Sequence, residues 1–264
     1  MVSFGTRDGS SMPGRSPSPA PGAQAGLKPE QFRFWTACAA PAPPMASLSA
    51  SILGGLGSAG TGANRKEPST GYEFPPEWCY LKTKNCPSLA GLGVRNKRIV
   101  VKDIHVYALG IYADVGAAKG ALAGFKKRSA EELEKDQAFY DAVVSSPLEK
   151  SLRLVISSRL VDRKKFLDAL EERLAPKLKQ AGEPATLDVF RSQFDSVHFE
   201  KGLEIAFTCL DNKKLVTQIG GKEMGTIASP SLCTSLFSIY LGSDPVSKDA
   251  KSTFGHSLAQ AIRE

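Results

Sequence analysis

The stretch Gly91-Leu-Gly-Val-Arg-Asn-Lys-Arg-Ile-Val-Val-Lys-Asp-Ile-His-Val-Tyr-Ala-Leu-Gly-Ile-Tyr-Ala-Asp114 decides how this chain reads. It is apolar and β-branched. It predicts two strands, Ile99–Val101 and Ile104–Tyr112, joined by a turn at Lys102-Asp103. Arg95 and Tyr107 flank that hairpin, with Arg95 expected at a strand start. A guanidinium can grip a carboxylate through two parallel hydrogen bonds, and a phenol can supply a third. Pointing inward, the pair suits a small acid with an apolar body; pointing outward, the two are ordinary surface residues.

Downstream of the hairpin the pattern alternates between helices and strands. Val115–Phe125 is Ala/Gly-rich and reads as a short helix, and Ala130–Val144 as a polar helix anchored by Leu133, Phe139, Tyr140 and Val144. Ser151–Leu160 alternates, with Leu152, Leu154 and Ile156 on one face and Arg153 and Val155 on the other. From Lys164 to Lys179 the period changes: Phe166, Leu170, Leu174 and Leu178 fall on one helical stripe, Asp162 is a fitting N-cap, and Pro176 disturbs the last turn. Leu187–Phe194 reads as a helix and Leu203–Cys209 as a strand. Asp211-Asn212 then turns the chain into the strand Leu215–Ile219. Gly220-Gly221 leads into Glu223–Ile227. Ser229 and Pro230 open a helix over Pro230–Leu241, in which Leu232, Leu236, Ile239 and Tyr240 are the anchors; Gly242 ends it. Lys248–Arg263 is a final helix. Hairpins separated by helices predict an α+β fold: a large, mainly antiparallel sheet covered on one face by a layer of helices. No Gly-rich phosphate loop joins a strand to a helix, which argues against a nucleotide-binding α/β fold.

The formal net charge of +7 is spread in mixed-sign clusters, such as Lys126-Lys-Arg128 near Glu131-Glu132. Nucleic acid is therefore not an expected partner, since that role needs one basic face with interleaved aromatics. No run reaches the roughly 18–20 apolar residues of a membrane span, so integral membrane association is not expected either. Cys38, Cys79, Cys86, Cys209 and Cys233 lack zinc-knuckle spacing, and His105, His198 and His256 are scattered. No metal site and no cofactor is expected. Cys79 and Cys86 can bridge, but buried free thiols in a reducing compartment are the simpler reading.

In residues 1–64, 38 positions are Ala, Gly, Pro or Ser, and Asp8 and Glu30 are the only acids. Such a segment cannot bury enough apolar surface to offset its ordering entropy. It reads as a disordered leader with the composition of an organelle transit peptide. Plastid import, to the stroma, is expected ahead of a mitochondrial or cytoplasmic location. Met45 is an alternative start. One globular domain is expected over 70–264.

From about Thr70 to Arg263 the chain resembles the chalcone isomerase-fold family of plants. The resemblance is carried by Gly93-Val-Arg-Asn-Lys97 and Val106-Tyr-Ala-Leu-Gly-Ile-Tyr-Ala-Asp114. It is supported by Leu148-Glu-Lys-Ser-Leu-Arg153 and by Ser231-Leu-Cys-Thr-Ser-Leu-Phe-Ser-Ile-Tyr-Leu-Gly-Ser-Asp-Pro-Val246. Within that family it looks most like the plastid fatty-acid-binding branch, which lacks isomerase activity. The resemblance implies a ligand cleft between sheet and helices, with Arg95 and Tyr107 holding a fatty-acid carboxylate. True isomerases share the arginine but have a threonine where this chain has Tyr107. They also carry a tyrosine and an asparagine where it has Phe166 and Arg173, and a phenylalanine cannot donate a hydrogen bond. No catalytic residue is therefore assigned. Phe166 and Leu170 are further candidates for the pocket wall, and Thr226, near an isomerase Ser/Thr contact, for the ligand. The expected function is non-catalytic binding of free fatty acid in support of plastid fatty-acid metabolism. The rivals are a chalcone–flavanone isomerase and a non-catalytic flavonoid-pathway auxiliary.

Overall fold

The computed structural model describes residues 62–80, 85–99 and 102–264. Most of the expected leader, residues 1–61, and the Val100-Val101 tip of the opening hairpin lie outside them. The order is β1 (Arg65–Lys66), β2 (Glu73–Phe74), β3 (Ser88–Ile99), β4 (Lys102–Ala113), α1 (Val115–Ala121) and a 3-10 turn at Ala123–Phe125. There follow α2 (Ala130–Leu133), α3 (Gln137–Ser145), β5 (Lys150–Ile156), α4 (Arg163–Gln180), α5 (Thr186–Ser192), β6 (Glu204–Leu210), β7 (Lys214–Ile219), β8 (Lys222–Ala228), α6 (Pro230–Leu241) and α7 (Lys248–Ala261).

Strands β3 to β8 lie side by side in sequence order, each antiparallel to its neighbours. The helices that interrupt this meander pack on one face, where Leu109, Leu152, Phe207 and Leu215 meet Leu174 and Leu236 in the main core. The expected alternation in β5 holds: Leu152, Leu154 and Ile156 face the helices, while Val155 joins Phe74, Leu89 and Tyr112 on the outer face. The outer face is partly covered as well, by Tyr72 and Trp78 from the segment around β2. Neither β1 nor β2 was expected, because two-residue strands carry no readable period.

Several boundaries differ from expectation for identifiable reasons. The first hairpin pairs Ile99 with Lys102, so Lys102 and Asp103 lie in a strand and not in its turn. Strand β3 starts at Ser88, well before Arg95, in spite of Gly91 and Gly93. A Cβ at Gly91 would stand 2.6 Å from the Ala250 carbonyl oxygen, and one at Gly93 2.8 Å from Ser247 Oγ. These glycines are absent side chains that let α7 lie directly on the sheet. Ala130–Val144 is two helices, because Ser129 and Glu132 form a capping box on the first and Asp136 caps the second. Helix α4 has the expected buried stripe and the Asp162 cap, and it runs through Pro176 to Gln180.

The free-thiol reading is overturned. Cys79–Cys86 and Cys209–Cys233 are disulfides, the second tying β6 to α6. Only the folded chain brings Cys209 and Cys233 together, across 24 residues of sequence.

Candidate functional site

Arg95 and Tyr107 are directly opposed across β3 and β4. Cross-strand partners share a face of the sheet, and Tyr107 belongs to the helix-side core with no exposed surface. Both side chains therefore point inward, and the Arg95 guanidinium carbon lies 5.7 Å from the centre of the Tyr107 ring. The pairing shifts between Arg95 and Asn96, where Asn96 opposes His105 and Lys97 opposes Ile104. This bulge reverses which residues of β4 face the helices, so Ile104 takes the side that odd-numbered residues hold further along. Asn96 and His105 turn away together, joined by a 2.6 Å hydrogen bond, consistent with a structural role for His105.

The bulge opens a cleft of about 270 Å³ between β3, β4 and the start of α4. Ile104, Val106, Val161, Phe166 and Ala169 form its apolar walls, and Arg95, Lys97 and Lys165 are the cations of its lining. Among the described residues no salt bridge involves Arg95. Burial works against its charge. The phenols of Tyr107 and Tyr240, and Glu172 on α4, favour the charge and hold Arg95 above its ordinary value.

Tyr107 lies just behind the wall, edge-on to Phe166 with ring centres 6.3 Å apart. Its hydroxyl is 3.1 Å from that of Tyr240 on α6, which is also buried. Burial first, and the neighbouring Tyr107 phenol second, push the Tyr240 phenol well above its ordinary value, so it stays protonated. The arrangement is a cation and two phenols beside an apolar cleft. It can bind an anion.

Of the sequence candidates, the structure brings Arg95, Tyr107 and Phe166 together. It does not bring the other two. Leu170 is buried in the core one turn beyond Phe166 and does not line the cleft. Thr226 is exposed on β8, separated from β4 by β5, β6 and β7, and bonds Glu223 at 3.2 Å. Helical spacing alone does not separate wall from core, which is why Leu170 was grouped with Phe166. Arg173 lies outside the cleft's lining and pairs with Asp244 at 2.9 Å. In the sequence Tyr240 is one anchor of an apolar helix; the signal of more is its phenol, whose hydroxyl needs a partner when buried.

The profile of the chalcone–flavanone isomerase family matches residues 70–262. Fatty-acid-binding protein 1 of Arabidopsis thaliana is 29% identical over 195 residues, covering 71% of this chain and 68% of that protein. Fatty-acid-binding protein 2 of the same plant is 31% identical over 75% of this chain, and the match spans about half of that relative, 51%. A chalcone–flavanone isomerase of Oryza sativa subsp. japonica is 29% identical over 73% of this chain and 88% of its own length. A crystal structure of an Arabidopsis thaliana fatty-acid-binding protein superposes with a TM-score of 0.68 at 27% identity, covering 76% of this chain and all of that one, 100%.

Proposed function

From its place in the chalcone isomerase family, to which this chain belongs, we propose that the protein is a non-catalytic binder of free fatty acids. Arg95 clamps the carboxylate, Tyr107 donates a further hydrogen bond to it, and the acyl chain runs along the walls formed by Ile104, Val106 and Phe166. The observation that carries this reading is Arg95 itself, a cation turned into the interior in the lining of an apolar cleft and, among the described residues, in no salt bridge. An inward-facing guanidinium without a counter-ion is costly unless a ligand supplies one. The apolar walls give affinity at about 25 cal/mol per Å² buried, and the few polar groups give orientation. The fatty-acid-binding relatives support the substrate class.

The second reading, an isomerase, draws on the similarity to the rice enzyme. Phe166 weighs against it, because a phenyl ring on the wall can neither position water nor donate to a flavonoid oxygen. The plastid stroma is the proposed location, on the composition of residues 1–64; a fluorescent fusion of that segment tests it.

Calorimetric titration with laurate tests the binding reading. Arg95→Ala is expected to weaken binding by about 2–5 kcal/mol, the cost of leaving a desolvated charge without its partner. Unchanged affinity in that variant would sink the assignment. Faster loss of chalcone absorbance than the spontaneous rate would favour the isomerase.

A further inference from the structure

The two phenols behind the cleft have a proton surplus. Tyr107 and Tyr240 carry two hydroxyl protons, and the 3.1 Å contact between them uses one. Among the described residues the one other hydrogen-bonding group at either hydroxyl is the Arg95 guanidinium beside Tyr107, and both phenols are buried. Arg95, beside them, offers only donors. The cluster therefore lacks an acceptor where an unmatched polar group is costly.

We infer that Tyr240 is a positioning residue of the carboxylate site: it donates to the Tyr107 oxygen and so turns the Tyr107 proton toward the ligand. This rests on the fatty-acid reading above. The order of donation follows from position. Neither phenol lines the cleft, but Tyr107 touches two residues that do, Phe166 and Arg95, whereas Tyr240 reaches Tyr107 from α6 behind it. With Tyr240 donating, the relay ends at the cleft and each proton has an acceptor once a carboxylate arrives. Hydroxyls in series also polarise one another, which strengthens the terminal bond. The same count bears on the ligand class. A carboxylate brings acceptors and no proton, whereas a fatty alcohol accepts with its oxygen but adds a hydroxyl proton that again lacks an acceptor.

The test is laurate titration of the full chain as wild type, Tyr107→Phe, Tyr240→Phe and the double variant, with thermal unfolding of each. Tyr240→Phe is expected to weaken laurate by roughly two- to tenfold, the worth of one hydrogen bond. The same change in the Tyr107→Phe background is expected to have no further effect, because Tyr240 then has nothing to orient. A purely structural role would give the same factor in both backgrounds, and that result overturns the inference, as does wild-type affinity in Tyr240→Phe. Should Tyr240→Phe fail to fold, Tyr240→Met removes the hydroxyl and must show the same non-additivity. Wild type that binds no laurate overturns the carboxylate reading and this inference together. Arg95-dependent binding with a silent Tyr240→Phe overturns this inference alone.

Discussion

Arg95 and Arg153 each lie against an aromatic ring, on opposite faces of one sheet. On the outer face the Arg153 guanidinium is 4.8 Å from the centre of Phe74 and 5.5 Å from that of Trp78. It is ion-paired with Glu204 and donates to the Glu73 carbonyl at 2.9 Å. On the helix side Arg95 has a ring beneath it and a cleft in front of it, and among the described residues no ion pair. The same chemistry is closed on one face and open on the other. An arginine with its counter-ion in place holds the segment around β2 to the sheet; one without is available to a ligand. Ring contact alone does not distinguish these roles, and the missing carboxylate does.

The largest expected effect breaks the closed side. Arg153→Ala leaves Glu204 unpaired and removes contacts to two rings, so unfolding in urea should show a loss of about 3–4 kcal/mol. Arg95→Ala should lower stability by under about 1 kcal/mol, since no ion pair is lost with it. If the two variants lose equal stability, the contrast between the faces fails.

A second buried cation sharpens the comparison. Lys150 is buried on the helix side, bonded to the Ser146 carbonyl at 2.8 Å and 5.8 Å from the Phe237 ring centre, and burial lowers its pKa to about 8. Its folded value lies below its unfolded one, so between pH 8 and about 10 the unfolded chain binds more protons and stability rises with pH. The full span is worth about 3 kcal/mol. The buried phenols of Tyr112, Tyr140 and Tyr240 ionise more easily once unfolded and oppose the rise above pH 10. Lys150→Met should abolish the rise and be the more stable protein at pH 7, as read from unfolding midpoints across that range.

A smaller effect than the loss of Arg153 concerns the seating of α7 on β3. Gly91→Ala places a methyl against Ala250 and Phe254 and should cost about 1–3 kcal/mol through overpacking. It should also weaken laurate binding if the seating of α7 on β3 sets the Arg95 position. Stability loss with unaltered binding would separate that packing from the site.

Much of the fold was legible because periodicity survives tertiary context. The stripe Phe166, Leu170, Leu174 and Leu178, the alternation of β5, and the Ser229–Pro230 start of α6 all follow from local patterns. The early start of β3 was not legible. Gly91 and Gly93 have no side chain to carry a period, and α7 rests where their side chains would be. The site was half legible: Arg95 and Tyr107 stood out as polar residues in an apolar stretch, while Tyr240 was one more ring on an apolar helix. Thr226 is a candidate by family resemblance alone and lies far across the sheet, on β8.

By itself the sequence determined most element types, the α+β class and the presence of an arginine and a tyrosine whose chemistry suits a carboxylate, because side-chain period and functional-group chemistry are local. Only the tertiary structure decided which way that pair faces, that a bulge after Arg95 opens a cleft there, that Glu204 neutralises Arg153, and that Tyr240 and the disulfide partners arrive from distant segments. Those are matters of register and of through-space proximity between residues far apart in the chain. A one-residue slip in pairing would move the whole row of side chains to the opposite face.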